Sequence, residues 1–167
     1  FDGGTSTGDE LRVTSESPTI IRGELSFVPT SVTAGEIRRG NGSNGKIKYR
    51  GVETLNDQTS WETKSFRFGA ENNSVTLDHL ATNDGLSRLT ETVTGADFRF
   101  RDVSGGIVNI FAGAGNDRVN MVQPVASSSR RFEAQVFGEE GNDTLTASGT
   151  NRSVGLSGGA GDDSLTG

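Results

Sequence analysis

Apolar and polar residues alternate in short runs along most of the chain, and no stretch combines the 3.6-residue spacing of a helix with caps at both ends. Lys46-Ile47-Lys48-Tyr49, Phe98-Arg99-Phe100-Arg101 and Phe132-Glu133-Ala134-Gln135-Val136-Phe137 all follow a period of two. That period gives an extended strand one apolar face and one polar face. Val75-Thr76-Leu77 and Ile107-Val108-Asn109-Ile110 start further strands. Clusters of Gly, Asn, Asp and Ser, such as residues 39–45, interrupt the runs and predict tight turns. The pattern predicts an all-β chain with near-zero helix. Within the less patterned residues 14–60, Pro18 and Pro29 predict sheet edges or turns rather than central strands.

The last third repeats itself. Ala112-Gly113-Ala114-Gly115-Asn116-Asp117-Arg118-Val119 aligns with Gly138-Glu139-Glu140-Gly141-Asn142-Asp143-Thr144-Leu145 and with Gly158-Gly159-Ala160-Gly161-Asp162-Asp163-Ser164-Leu165. A degenerate copy with one inserted residue occupies residues 3–11 and contains Asp9, and weaker echoes fall at Asn83-Asp84 and Asn56-Asp57. The aspartates from Asp57 through Asp84, Asp117 and Asp143 to Asp163 are separated by 27, 33, 26 and 20 residues. Phe66-Arg67-Phe68 and Phe98-Arg99-Phe100, 32 residues apart, provide a second recurring marker. Self-similarity of this kind points to stacked coils. The expectation is one continuous β-solenoid domain, irregular and wide-coiled over residues 1–110 and regular over 111–167.

Composition narrows the classes. Gly accounts for 24 of 167 residues, roughly twice its usual ~7% share, so backbone replaces side chains in much of the molecule. Without cysteine there are no disulfides, no thiolate nucleophile and no Cys-based zinc site. A net charge of −6 and a pI near 4.8 argue against a nucleic-acid partner. No apolar run reaches the roughly 18 residues of a membrane-spanning helix, so no membrane insertion is expected.

The chemistry lies in the octads. Calcium takes about 6–8 oxygen ligands from carboxylates, carbonyls and water. Glycines let a backbone turn tightly and aim its carbonyls inward, and the Asp at the sixth position supplies charge. The aliphatic residue two positions later points to the opposite side and fills the interior. Parallel coils stack about 4.8 Å apart, so neighbouring turns can share one ion. A file of stacked carboxylates repels itself, which couples folding to metal binding. The competing reading makes each Gly-Asn-Asp turn an Asx turn whose Asp caps backbone amides.

These octads resemble the RTX (hemolysin-type) calcium-binding nonapeptide, Gly-Gly-x-Gly-x-Asp-x-aliphatic-x. Residues 158–165 match every fixed position, 112–119 begin with Ala, and 138–145 carry Glu139 for the second Gly. The resemblance covers about 60 residues and implies a parallel β-helix or β-roll with Ca2+ in its glycine-rich turns. It implicates Asp117, Asp143 and Asp163 as ligands, with the carbonyls of Gly113, Gly115, Glu139, Gly141, Gly159 and Gly161. Asp9 and Asp84 are further candidates. In a true β-roll the nonapeptides run back to back, whereas here good copies are 26 and 20 residues apart. That layout resembles long exported bacterial proteins in which isolated copies punctuate a parallel β-helix.

Other candidates carry less. His79, the only histidine, adjoins Asp78 on a strand, where neighbours face opposite ways, so no triad is expected. Phe66, Phe68, Phe98, Phe100, Phe132 and Phe137 are expected to form a stacked core. The chain begins at a repeat turn without an initiator Met and closes inside another, with no polar cap at either end. Further coils of a longer protein, or head-to-tail self-association into a filament, are the two expectations. The functional expectation is a calcium-binding structural or adhesive module of a secreted or cell-surface bacterial protein, with polysaccharide or cell-surface contact. The alternative is a polysaccharide-active β-helix enzyme, a lyase or epimerase, or an accessory module of one.

Overall fold

The structure is a computed structural model and describes residues 9–14, 21–31, 34–40, 46–79, 85–102, 104–122, 132–147 and 153–167. Among these residues there is no helix, and the fold is all-β. The strands are β1 (Glu10–Val13), β2 (Ile21–Ser31), β3 (Ala34–Arg39), β4 (Lys46–Tyr49), β5 (Thr54–Asp57), β6 (Trp61–Arg67), β7 (Ser74–His79) and β8 (Leu86–Glu91). They continue with β9 (Ala96–Arg101), β10 (Ile107–Phe111), β11 (Arg118–Met121), β12 (Glu133–Glu140), β13 (Thr144–Thr146), β14 (Val154–Ala160) and β15 (Ser164–Thr166). One sheet has the order β1-β5-β9-β8-β7-β11-β13-β15 and the other β14-β12-β10-β6-β2-β3-β4.

From β10 onward the chain passes alternately between the two sheets. β10, β12 and β14 join one, β11, β13 and β15 the other, and each strand pairs parallel with its predecessor in that sheet. Parallel pairing does not extend throughout. β2, β3 and β4 form an antiparallel meander, as do β7, β8 and β9, so both sheets are mixed. The strands at these reversals are close in sequence, and a short connection closes at less entropic cost than a long crossover. Gly95, with φ 68°, lets the turn between β8 and β9 reverse, and both oxygens of Glu91 accept the turn's N–H groups. Pro29 lies within β2 but beyond Phe27, where the described pairing to β6 ends, so its missing donor interrupts no bond on that side.

The two Phe-Arg-Phe markers occupy different sheets, which corrects their reading as equivalent points on successive coils. Phe66 is in register with Ile110, and Ile110 with Val136, while Phe98 is in register with Leu55. Phe66 and Phe98 meet across the core with ring centroids 5.4 Å apart. Phe27 and Phe100 also pack on Phe66, and Phe132 continues the series against Phe100. Each buried Phe contributes roughly 1.5–3 kcal/mol from apolar surface removed from water. Phe137 departs from the expected core. Residues 132, 134 and 136 are buried, so the period of two sends 137 outward, where it stacks on Phe111 at 4.8 Å.

One buried ion pair interrupts the apolar interior. Lys64 on β6 pairs through Nζ with Asp57 Oδ2 and donates to the Thr59 carbonyl at 3.0 Å. Asp57 Oδ1 in turn accepts the Thr59 N–H at 2.9 Å. Burial pushes the Lys64 ammonium below its ordinary pKa, against the opposing pull of Asp57.

Candidate metal centre

Four of the turns that carry the chain from the seven-stranded to the eight-stranded sheet are stacked by strand register. They span residues 68–73, 112–117, 138–143 and 158–163, and lead into Ser74, Arg118, Thr144 and Ser164, which lie side by side. Asn73, Asp117, Asp143 and Asp163 therefore form one column, and Asn72, Asn116, Asn142 and Asp162 another. The octad pattern covers the last three turns and not the first, whose Gly69-Ala70-Glu71-Asn72-Asn73 has Asn where the others have Asp. The legible signal was the Gly, the paired Asn and the apolar Val75 two positions on.

The remaining sequence candidates lie elsewhere. Asp57 belongs to the buried ion pair. Asp9 precedes β1 at the opposite edge of the eight-stranded sheet, where its N–H donates to Glu53 Oε2 at 2.8 Å. Most of its repeat, residues 3–8, and Asp84 lie outside the described residues. The spacing between successive turns is thus 44, 26 and 20 residues, and the β8–β9 excursion accounts for the first, widest interval.

Two hydrogen-bond ladders with opposite directions tie the turns together. In one, each acidic side chain reaches back. Asp117 Oδ1 accepts the Asn73 N–H at 2.7 Å, Asp143 Oδ1 that of Asp117 at 2.8 Å, and Asp163 Oδ1 that of Asp143 at 2.9 Å. In the other, each amide side chain reaches forward. Asn72 Oδ1 accepts the Asn116 N–H, Asn116 Oδ1 that of Asn142 and Asn142 Oδ1 that of Asp162, at 2.8, 2.9 and 2.8 Å. The amide-capping reading of these aspartates therefore accounts for one oxygen of each.

The second oxygen is different. Asp117 is 2% exposed and Asp143 1%, and Oδ2 of each is buried without a hydrogen-bond partner. A Cβ placed on Gly138 would collide with Asp143 Oδ2 and equally with the carbonyl oxygen of Gly158 in the next turn. Two oxygens thus face one point, and Oδ2 has no donor. Such an atom costs about 1–3 kcal/mol, and more when charged, unless a donor or cation meets it. Burial pushes the Asp117 carboxyl up to about 6, with the Asp143 and Glu91 carboxylates adding to the rise and hydrogen bonds from Asn73 opposing it.

Asn73 shows what a satisfied position looks like. Its Nδ2 lies 2.7 Å from the Glu71 carbonyl, 2.9 Å from that of Ala112, 3.2 Å from Asp117 Oδ1 and 3.3 Å from the Gly69 carbonyl. Four oxygens from two adjacent turns surround one electropositive group. One turn further on, the corresponding residues are Gly113, Gly115, Gly138 and Asp143, and a turn beyond that Glu139, Gly141, Gly158 and Asp163. These sets contain six of the residues implicated by resemblance. Gly159 and Gly161 belong to the last turn, and no described turn stacks beyond it.

Backbone shape keeps the turns this close. Gly141 has φ 124°, and a Cβ there would run into the Gly115 carbonyl, just as one on Gly161 would meet that of Gly141. Glu139, at φ 77°, is the one non-glycine with positive φ among the described residues and stands where the other turns have Gly69, Gly113 and Gly159. The Gly113 carbonyl accepts the Glu140 N–H at 3.2 Å, which leaves it a second lone pair. No three or more His, Cys, Asp or Glu side chains cluster as a metal site among the described residues. A cation here would depend on one or two carboxylates plus carbonyls, which is donor chemistry suited to a hard ion. Comparison with protein-family models, curated proteins and solved structures finds no match for this chain.

Proposed function

We propose that this chain is a calcium-binding structural module, a β-solenoid whose acidic turns hold Ca2+ between successive coils, in an exported bacterial surface or matrix protein. The observation that carries the reading is the pair of buried, unpartnered Oδ2 atoms on Asp117 and Asp143. One ion belongs between turns 112–117 and 138–143, ligated by Asp117 and Asp143. A second belongs between 138–143 and 158–163, ligated by Asp143 and Asp163. Carbonyls of the glycine-rich segments complete each shell. Magnesium demands a tighter octahedron and gives up water reluctantly, so this carbonyl-rich space favours calcium.

The solenoid reading rests on the alternate passage of β10–β15 between two sheets with parallel pairing. The antiparallel meanders are excursions from that path. Few carboxylates per ion are expected to give weak sites, in the roughly 10⁻⁴–10⁻³ M range of extracellular calcium modules, which would fill only in an exported setting. Leu165 is 49% exposed although Val75, Val119 and Leu145 in the same column are buried. A second copy stacked over β14 and β15 would bury it. That is the support for head-to-tail association.

Isothermal titration of the chelated chain with CaCl2, alongside thermal melts in calcium, magnesium and EDTA, tests the reading. Two calcium ions per chain and a melting temperature raised by calcium but not by magnesium are expected. A chain with the same melting temperature in millimolar calcium and in EDTA, and with no binding heat, would overturn it.

A further inference from the structure

The calcium ladder has a built end, and its position follows from one residue. We infer that the side-chain amide of Asn73 takes the place of the metal ion between the first two turns, so that ion binding starts at turn 112–117. This inference rests on the calcium reading of the later turns. The Asn73 NH2 sits among the Gly69, Glu71 and Ala112 carbonyls and Asp117 Oδ1, the positions that supply ligands one and two turns further along. An amide brings two polarised N–H groups and no net charge. Its two N–H groups are shared among those oxygens, with the Glu71 and Ala112 carbonyls nearest at 2.7 and 2.9 Å, whatever the calcium concentration.

A second feature seals the same end. The N–H groups of Arg118, Thr144 and Ser164 donate to the carbonyls of Asn73, Asp117 and Asp143 in the preceding turns. Ser74, which follows the first turn, has the antiparallel strand β8 on that side instead. Its N–H donates to Glu91 Oε1 at 3.1 Å, and the Glu91 side chain, 1% exposed, replaces the absent coil. The same carboxylate accepts the Val93 and Thr94 N–H groups and so ties the β8–β9 turn to the ladder's end. At Asn73 the protein is thus ordered without metal, and this turn provides a preformed template on which the metal-dependent coils stack.

The test exchanges the chemistry of the column in both directions in the full chain. Asn73→Asp puts a carboxylate into the oxygen cage. It is expected to lower the melting temperature in EDTA by several degrees, to recover in calcium and to bind three ions where the wild type binds two. Asp117→Asn reproduces the first turn in the second. It is expected to bind one ion and to melt roughly 2–4 °C higher than wild type in EDTA, as expected when about 1 kcal/mol is regained in a chain of this size. Because Asp117→Asn gains a donor where one is lacking, it keeps the question answerable if Asn73→Asp fails to fold. Two ions in wild type and still two in both variants would overturn the role of Asn73 and leave the calcium ladder standing. No ion bound by wild type or by either variant would overturn both.

Discussion

Asp143 Oδ1 accepts the backbone N–H of Asp117 at 2.8 Å, and the other oxygen of the same carboxylate faces the carbonyl of Gly158 without a donor. One side chain therefore joins the turn before it by a hydrogen bond and turns its charge toward the turn after it. Asp143 is the middle of the three aspartates in the column and takes part in both proposed ion sites. Asp143→Ala is expected to abolish or strongly weaken both sites rather than one, and to strand the Asp117 N–H. Calcium titration should show loss of most binding heat. Melting in EDTA should also fall, by the roughly 1–3 kcal/mol of an orphaned buried donor, partly offset by removal of the unpartnered oxygen. Retention of one undiminished site would show that the ions are not shared.

Glu139 tests the backbone side of the turn. It holds φ 77° where the equivalent glycines 113 and 159 have φ 102° and 109°. A left-handed conformation costs a side-chain-bearing residue roughly 1–2 kcal/mol. Glu139→Gly is expected to stabilise the chain by up to about 1 kcal/mol, since glycine also gains freedom in the unfolded state. Gly141→Ala, by contrast, drives a Cβ into the Gly115 carbonyl and is expected to be strongly destabilising. Urea denaturation in calcium measures both, and the two changes should have opposite signs.

The interior ion pair offers a test away from the ladder. Lys64 is 2% exposed and Asp57 0%, so removing one partner strands the other inside. Lys64→Met is expected to cost about 3–5 kcal/mol. The double variant with Asp57→Asn keeps the carbonyl oxygen that accepts the Thr59 N–H and removes the uncompensated charge, so it should recover much of that loss. Denaturant midpoints of the single and double variants check this, and additive losses would mean that the pair is not coupled.

The all-β class and the acidic turns were legible because both depend on short-range pattern. Alternation of two fixes which face of a strand is buried, and the small-x-x-Gly-[Asn/Asp]-Asp spacing marks a tight turn. What the sequence did not reveal depends on pairing between distant residues. Phe66-Arg67-Phe68 and Phe98-Arg99-Phe100 look like one repeated strand, yet they lie in opposite sheets, because the β7–β8–β9 meander moves the second across the core. The turn at 68–73 is hard to read from sequence because Asn73 stands where the other turns have Asp, so the shared geometry has no shared acidic residue. Asp9 and Asp57 lie outside the stacked turns: Asp9 precedes β1 at the far edge of the sheet, and Asp57 shares only the Asn-Asp pair and ends strand β5.

Glu91 makes the ladder's end dependent on pH. Burial raises its carboxyl pKa, but the bonds from Thr94, Val93 and Ser74 outweigh burial and hold it below the ordinary value of 4.5. A carboxyl depressed in the folded state contributes stability that is fully present above its unfolded pKa and is lost as pH falls through the folded one. Its contribution is therefore intact at neutral pH and disappears only below about 4.5. Glu91→Gln retains one oxygen as acceptor but loses the charge, and should cost about 1–2 kcal/mol at pH 7. The difference between wild type and variant should shrink as pH drops below the carboxylate range. Melting temperatures of both chains from pH 3 to pH 7, after calcium has been stripped at neutral pH and the chains exchanged into calcium-free buffer, measure it. A difference that stays constant across that range would mean that Glu91 acts by shape alone, and the sealed end would then owe nothing to its charge.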